Sequence, residues 1–178
     1  PTPSQLAAAK RRGVKTIVNL RGDGDLGSTV LSKAACETLG LNHHFLKARS
    51  RGMPTKDMLR QTAKLLDEIQ YPALIHCKSG ADRAGLVSAL YMLLKENATP
   101  ERALKELSLK YGHIRQAKTG MLDFFLEAYR DQNQIEPIDF MDWVERDYDE
   151  EELRQAYFES KHNKGWANFV VDFVLRRE

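Results

Sequence analysis

The chain has 178 residues, of which 42% are hydrophobic and 29% charged, and a net charge of +2. This balance is typical of one globular domain with a buried core, and it excludes disordered and collagen-like chains. Cys36 and Cys77 are too few for a disulfide framework and, together with five histidines, show no zinc-ligand spacing, so we expect neither a metal nor another cofactor. The cysteines favour a reducing, cytoplasmic compartment. An N-terminus at Pro1 suggests a truncated chain, which leaves export open.

Charge is distributed unevenly along the chain. Residues 1–130 hold 21 Lys and Arg against 12 Asp and Glu, whereas residues 131–160 hold 2 against 11. The basic residues do not form a stripe with interleaved aromatic residues, so we expect a pocket for a small anion and no nucleic-acid surface. The longest apolar runs, such as residues 84–94, are shorter than the ~20 residues of a membrane-spanning helix, which predicts no transmembrane segment.

Helical and extended patterns alternate along the first 130 residues. Helices are predicted at residues 4–12, 28–39, 55–69, 84–96, 100–110 and 120–130, and strands at residues 14–20, 42–46 and 73–76. N-terminal helix caps are expected at Ser4, Ser28 and Thr99. The strand at 73–76 is short and apolar, and we expect it at the centre of the sheet. The alternation predicts an α/β fold with a mainly parallel central sheet flanked by helices.

The sequence changes character after residue 134. Aromatic residues stand among acidic ones at helical spacing, namely Trp143, Tyr148, Tyr157, Phe158, Trp166, Phe169 and Phe173. The simplest interpretation is a helical extension that packs its aromatic face on the preceding domain and forms no second ligand site. We therefore predict one domain at residues 1–134 and a helical C-terminal extension at residues 135–178. No internal repeat is visible, and nothing indicates an oligomeric state.

The loop between the strand at 73–76 and the next helix carries the chemistry. It reads Cys77-Lys78-Ser79-Gly80-Ala81-Asp82-Arg83. A loop that runs from a buried strand to a helix N-terminus points its backbone N–H groups into one concavity, which can hold a tetrahedral dianion. The partial positive charge of these N–H groups and of the helix N-terminus lowers the pKa of Cys77 and leaves a nucleophilic thiolate. Arg83 can bind two phosphoryl oxygens. An inert buried thiol is the alternative for Cys77.

Three stretches of the sequence match one known family. The strongest reads His76-Cys77-Lys78-Ser79-Gly80-Ala81-Asp82-Arg83-Ala84-Gly85, and the weaker ones are Asn19-Leu20-Arg21 and Met53-Pro54. Over about residues 3–130 the chain resembles the cysteine-dependent protein tyrosine phosphatase superfamily, in its dual-specificity and phosphoinositide-phosphatase-like branch. The resemblance implies a protein tyrosine phosphatase-like fold in which Cys77 attacks phosphorus, Arg83 stabilises the transition state and His76 tunes the thiolate. A core hydrogen bond is the alternative role for His76.

Two departures from the family pattern bear on catalysis. The family usually carries a general-acid Asp in a loop before the helix that here begins at Thr55, but residues 47–54 contain no carboxylate. Asp82 is our first choice as proton donor, because it resembles the Asp before the Arg in myotubularin and Sac-type inositide phosphatases; its alternative role is to rigidify the loop. Ala84 stands where most members have Ser or Thr and, as in the phosphatases of regenerating liver, implies slow hydrolysis of the intermediate. Further candidate proton donors are Asp23, Asp25 and His113.

Basic residues are expected around the loop. Because parallel strands end at one edge of a sheet, several polar residues become substrate-binding candidates: Arg21, Lys47, Arg49, Arg51, His113, Arg115 and Lys118. Each of the cations alone is also explained as a solvated surface charge. Lys78 resembles the basic loop residues of phosphoinositide phosphatases, which suit a substrate with several phosphates. A deep slot for phosphotyrosine would need aromatic walls, and no aromatic residue is evident in the loops that flank the site.

These observations predict a metal-independent phosphomonoesterase that acts through a cysteinyl-phosphate on a phosphorylated anionic substrate. The substrate stays open between a phosphoprotein and a phosphorylated lipid, inositol or sugar. A rhodanese-type sulfurtransferase also places a Cys loop between a strand and a helix, but it would not need Arg83. A catalytically weak phosphate-binding module is the third alternative, and both departures from the family pattern favour it.

Overall fold

The computed structural model describes residues 1–24 and 27–162. The sequence candidates Asp25, Trp166, Phe169 and Phe173 lie outside the described residues. Within the described part, no helix combines the length and the apolar composition that a membrane crossing requires.

Three short parallel strands form the sheet, namely β1 (Thr16–Asn19), β2 (Asn42–Phe45) and β3 (Ala73–His76). β1 lies between the other two, and all its residues are buried, whereas every residue of β3 is half-buried. The expectation that β3 is central is therefore wrong for the described sheet. Apolar composition reports contact with the flanking helices, whereas the order of strands depends on pairing between distant parts of the chain.

Helices connect the strands and cover the sheet. Their bounds are α1 (Pro3–Arg11), α2 (Gly27–Leu39), α3 (Lys56–Glu68), α4 (Asp82–Leu94), α5 (Pro100–Leu104), α6 (Met121–Ile135), α7 (Phe140–Arg146) and α8 (Glu150–His162), with a 3-10 helix at Leu109–Tyr111. Each of the crossovers β1 to β2 and β2 to β3 passes through one helix, as parallel strands require. The predicted α/β fold with a parallel sheet and helices in the C-terminal part is confirmed.

The helix caps were predicted with mixed success. α1 is capped by Thr2, whose Oγ1 accepts from the Gln5 N–H at 3.3 Å while Gln5 Oε1 accepts from the Thr2 N–H at 2.8 Å. This reciprocal pair places Ser4 inside the helix, so the predicted cap at Ser4 is wrong. The cap at Thr99 is confirmed, because its Oγ1 accepts from the Arg102 N–H at 3.4 Å.

The helix expected at residues 100–110 ends at Leu104. Gly85 on α4 explains the early end, since a Cβ at this position would lie 2.8 Å from the Glu106 carbonyl oxygen and 2.9 Å from Leu107 Cδ2. The chain after α5 thus packs directly on the α4 backbone and buries Leu107. This tertiary contact overrides the helical preference of the sequence.

Two apolar clusters cover the two faces of the sheet. Ile17 packs with Leu6, Cys36 and Leu41 in the smaller cluster, while the neighbouring Val18 belongs to the larger one. Successive strand residues point to opposite faces, which explains this alternation.

α7 and α8 add aromatic side chains to the larger cluster. The ring of Trp143 lies 5.5 Å from Phe125, 5.3 Å from Tyr129 and 5.4 Å from Tyr148, measured between centroids. Among the described aromatic residues that were expected to pack, Phe158 is the exception, because it is 47% exposed.

Candidate active site

Residues 77–83 form a loop that leaves β3 at the carboxyl end of the sheet and enters α4. Gly80 has a φ of +81°, in the left-handed region where a residue without a Cβ is not strained. Ala81 is the N-cap residue of α4 and offers no side-chain hydrogen bond to the first helical amides. The N-terminal N–H groups of α4 are therefore available to an anion in the loop.

The sulfur of Cys77 lies within this set of backbone donors. The Gly80 N–H donates to Cys77 Sγ at 3.2 Å. Burial raises the pKa of the thiol, but the N–H groups of Ala84, Gly80 and Ser79 and the charge of Arg83 outweigh burial, so that the pKa is lowered. This environment favours a thiolate over an inert thiol.

Arg83 ends the loop at the first turn of α4. Its side chain is half-buried, and no acidic side chain of the described residues forms an ion pair with it. The guanidinium keeps its donors for a bound anion and contributes its charge to Cys77.

His76 precedes the cysteine and contacts the backbone of the loop. Its Nδ1 lies 3.5 Å from the Cys77 carbonyl oxygen, and its buried Nε2 has no hydrogen-bond partner among the described residues. Burial lowers the pKa of His76 to about 4, and nearby positive charges act in the same direction. The ring is therefore neutral at neutral pH, and it can act on the thiolate through the loop backbone but not through a charge.

Asp82 is tied to a buried histidine. His113 Nδ1 lies 2.8 Å from Asp82 Oδ1, and His113 Nε2 lies 2.7 Å from Asp123 Oδ2. His113 is only 1% exposed and both of its ring nitrogens face carboxylates, which does not favour the predicted role as a substrate-binding residue or a direct proton donor. In the described part of the chain, no group of three or more His, Cys, Asp or Glu side chains is arranged to hold a metal ion.

The segment at residues 47–54 borders the first βα loop. Arg21 and Lys47 form an isolated antiparallel bridge, and Arg21 Nη1 donates to Ser28 Oγ at 3.1 Å. Ser28 lies inside α2, so the prediction that it caps this helix is wrong. Asp23 is an exposed partner of Lys33 at 2.5 Å. The remaining basic candidates on the segment are both exposed, namely Arg49 and Arg51.

Arg115 is exposed but forms an ion pair with a buried carboxylate. Its Nη2 lies 2.7 Å from Oε1 of the buried Glu127. Both residues line a cavity of about 420 Å³ together with His113 and Asp123, and this cavity contains no residue of the loop at 77–83. The structure thus pairs Arg115 with Glu127, whereas the substrate-binding candidate Lys118 is exposed.

A second cavity, of about 550 Å³, lies beside the loop and is lined by Cys77 and Lys78. Gln5 of α1 and Arg12, the residue that follows this helix, line the same cavity. Sequence reasoning did not find these two residues, because nothing in the sequence shows that α1 packs beside β3.

Asp123 is the other residue that sequence reasoning missed. It stands in the stretch Met121-Leu122-Asp123-Phe124-Phe125, where an acidic residue among apolar neighbours indicates a buried and therefore partnered carboxylate. That signal was present in the sequence, although it does not identify the partner.

Comparisons with known proteins agree with this site. A family model described as a Swiss Army Knife protein, DSP-PTPase phosphatase domain, matches residues 2–132. The dual specificity protein phosphatase TpbA of Pseudomonas aeruginosa is 31% identical to the chain over 107 residues, which make up 60% of this chain and 46% of TpbA. The chain therefore spans about half the length of this curated relative.

Two crystal structures share the fold. The structure of P. aeruginosa TpbA superposes with a TM-score of 0.53 and 20% identity, covering 73% of this chain and 80% of that one. A mutant form of Tk-PTP gives a TM-score of 0.57 and 19% identity, covering 76% and 88%. These matches confirm the family that was predicted from the loop, and they do not indicate a rhodanese-type protein. The chain belongs to the DSP-PTPase phosphatase domain family, in the dual-specificity branch of the cysteine-dependent protein tyrosine phosphatase superfamily.

Proposed function

We propose that this chain is a cysteine-dependent phosphomonoesterase. The observation that carries the proposal is Cys77 Sγ, which accepts the Gly80 N–H at 3.2 Å inside a loop that ends in Arg83. Backbone donors that lower the pKa of a thiol also suit the oxygens of a phosphoryl group, so one concavity serves both nucleophile and anion. Membership of a phosphatase family supports the same activity.

The proposed reaction has two steps. The Cys77 thiolate attacks phosphorus, and the S–P bond forms as the P–O bond to the leaving group breaks. The leaving oxygen keeps the electron pair of that bond and takes a proton. Water then attacks the cysteinyl-phosphate, which releases inorganic phosphate and restores the thiolate. Arg83 binds two phosphoryl oxygens through both steps.

Asp82 is the proposed proton donor. It belongs to the loop itself, and its side chain is 24% exposed. If Asp82 protonates the leaving oxygen, Asp82→Asn slows alkyl phosphates roughly 10²- to 10⁴-fold and barely affects an activated aryl phosphate. Equal losses on both types of substrate would instead assign Asp82 the role of rigidifying the loop.

The substrate is proposed to be a phosphorylated anion, either a phosphoprotein or a phosphorylated lipid, inositol or sugar. The cations Lys78 and Arg12 on the cavity wall support a substrate with several negative charges, such as a phosphoinositide. The name of TpbA, a dual specificity protein phosphatase, supports a phosphoprotein. A phosphate-release panel of phosphopeptides, phosphoinositides, inositol phosphates and sugar phosphates separates these classes.

Two substitutions test the proposed enzyme. Cys77→Ser is expected to abolish phosphate release while vanadate still binds, and Arg83→Lys to cost at least ~100-fold, because a point charge cannot replace a bidentate guanidinium. Cys36→Ala is the control, since Cys36 packs in the smaller cluster. Release by Cys77→Ser would exclude the covalent mechanism. Vanadate binding without release by the unmodified chain would identify a phosphate-binding module.

We further propose a domain boundary at residue 134 and a cytoplasmic location. The end of α6 at Ile135 and the end of the family match at 132 support the boundary. A thiolate nucleophile must stay reduced to act, which supports a reducing compartment. Fractionation of cells that express the full-length protein tests the location.

A further inference from the structure

The two hydrogen bonds of His113 need two protons. A neutral imidazole carries one N–H and can donate either to Asp82 or to Asp123, but not to both. Its other nitrogen would then face a carboxylate oxygen at hydrogen-bond distance with no proton between them. Asp82, His113 and Asp123 together therefore hold one proton more than a neutral histidine and two carboxylates would.

Charged groups from several elements surround His113. The titratable and charged residues that face this region are Asp82 from α4, Glu101 from α5, Asp123, Glu127 and Arg130 from α6, and Arg115 from the preceding segment. The two cations have other carboxylates as partners, since Arg115 pairs with Glu127 and Arg130 pairs with Asp131 at 2.6 Å.

The position of the extra proton follows from these contacts. Burial lowers the pKa of His113, but the hydrogen bonds and charges of Asp123 and Asp82 outweigh burial and raise it above the ordinary value. The extra proton is therefore on the His113 ring, whose Nδ1–H donates to Asp82 Oδ1 in the loop.

We propose that Asp82, His113 and Asp123 act as one acid, in which His113 stores the proton that Asp82 passes to the leaving oxygen. This inference rests on the proposed phosphatase activity with Asp82 as the catalytic acid. An isolated Asp is ionised at neutral pH and has no proton to give, whereas Asp82 is hydrogen-bonded to a histidine that can supply one. Asp123 holds the positive ring in place, so His113 and Asp123 are positioning residues.

The proton balance closes over the two steps. When the P–O bond breaks, the proton on His113 Nδ1 moves to Asp82 Oδ1 and from Asp82 to the leaving oxygen, which leaves His113 neutral and Asp82 as a carboxylate. When water attacks the cysteinyl-phosphate, its proton returns to His113 by the same route. No other co-reactant is needed.

The pH profile of Asp123→Asn tests the inference. This substitution keeps the size of the side chain and removes its charge, so the pKa of His113 is expected to fall. The pH above which kcat/KM for an alkyl phosphate declines is expected to fall by the same amount. The rate with 4-nitrophenyl phosphate is expected to change little, because that leaving group departs unaided. An unshifted profile with the alkyl phosphate overturns the proposal.

Glu127→Gln is the matched control. Glu127 lies one turn further along α6, lines the same cavity as Asp123 and has a pKa raised by burial to about 7, but its partner is Arg115 and not His113. The same change of charge at this position is expected to leave the profile in place. Equal shifts in both variants would mean that the total negative charge near His113 sets the pH dependence. The hydrogen bonds from Asp82 through His113 to Asp123 would then not be responsible, and the proposal would fail.

NMR of the imidazole nitrogens gives a readout that depends on neither activity nor the folding of a variant. In the unmodified chain, His113 is expected to be more than half doubly protonated at pH 6.5, the ordinary midpoint of histidine. A ring that is mainly neutral there contradicts the stored proton even if the enzyme is active. A doubly protonated ring in a chain that releases no phosphate from any ester overturns the proposed function instead.

Discussion

At the scale of single residues, the two cysteines of the chain have opposite properties. Cys36 is buried beside apolar side chains, and burial raises its pKa. Cys77 is also buried, yet backbone N–H groups from the loop and α4 more than offset the effect and lower its pKa. The difference comes from the backbone N–H groups that point at Cys77 Sγ, since burial raises the pKa of both thiols.

This contrast predicts the order in which the thiols react. Only the thiolate is alkylated, so Cys77 is expected to react with iodoacetamide below the ~8.5 at which an ordinary thiol titrates, whereas Cys36 reacts only at higher pH or after unfolding. Peptide mapping by mass spectrometry after alkylation over a range of pH measures both residues in one sample. A common midpoint for the two cysteines would show that the loop does not activate Cys77.

Ala84 sets a second expectation at this scale. Its backbone N–H acts on the sulfur, but its side chain has no hydroxyl to donate to the departing thiolate when the intermediate is hydrolysed. A charge-assisted hydrogen bond at this point is expected to raise steady-state turnover roughly tenfold in Ala84→Ser. Stopped-flow measurement with an aryl phosphate checks this, because the initial burst reports the first step as an internal control. An unchanged steady-state rate after an unchanged burst would mean that a hydroxyl at this position does not speed hydrolysis of the intermediate.

Residue roles could be predicted from the sequence only where they depend on local context. The positions of Cys77 and Arg83 follow from a strand, a seven-residue loop and a helix in immediate succession. The partner of Asp82 could not be predicted, because His113 lies 31 positions further along the chain and gave no sign of being buried. The same holds for Asp123, which contacts the other nitrogen of His113.

At the scale of elements, local patterns located most strands and helices, while their arrangement depended on distant contacts. The bounds of β3 follow directly from an apolar run that ends at His76. Its position at the edge of the described sheet depends on pairing with β1 across more than fifty residues, which periodicity cannot report. The early end of α5 has the same origin, since the packing of Leu107 on α4 is a tertiary effect.

The contact at Gly85 makes a prediction about two packed elements. Gly85→Ala gains helix propensity of about 1 kcal/mol but forces the new Cβ against the Glu106 carbonyl, so a net destabilisation of about 1–3 kcal/mol is expected. Thermal unfolding should show a lower Tm. Gly27→Ala on α2 is the matched control, because a Cβ there meets nothing within 4 Å, and it should leave the Tm unchanged or slightly raised. A neutral Gly85→Ala would mean that the segment after α5, which contains Glu106 and Leu107, is free to move away from α4.

At the scale of the whole molecule, α7 and the turn after it contact α3 and the segment that leads into α3. The Tyr148 hydroxyl donates to the Pro54 carbonyl oxygen at 2.6 Å, and Arg60 Nε donates to Glu145 Oε1 at 2.7 Å. Pro54 closes the segment at residues 47–54, which lacks the carboxylate usual in the family. The turn between α7 and α8 thus contacts the end of a segment that borders the first βα loop.

Trp143 is the residue that tests whether these helices unfold together with the rest. It is 4% exposed and packs among the rings of Phe125, Tyr129 and Tyr148, so Trp143→Ala is expected to cost about 3–5 kcal/mol. Phe125 and Tyr129 belong to α6, and the same apolar cluster reaches the sheet at Val18. The lost packing energy should therefore destabilise the whole fold and lower the Tm of a single cooperative transition by roughly 10 °C. Phe158→Ala, at an aromatic residue of α8 that is 47% exposed, serves as the control and should change stability by less than about 0.5 kcal/mol. The opposite outcome is two calorimetric transitions, of which only the one at lower temperature responds to Trp143→Ala. It would show that α7 and α8 unfold as a separate unit, and that the contacts of Tyr148 with Pro54 and of Glu145 with Arg60 do not couple them to the fold.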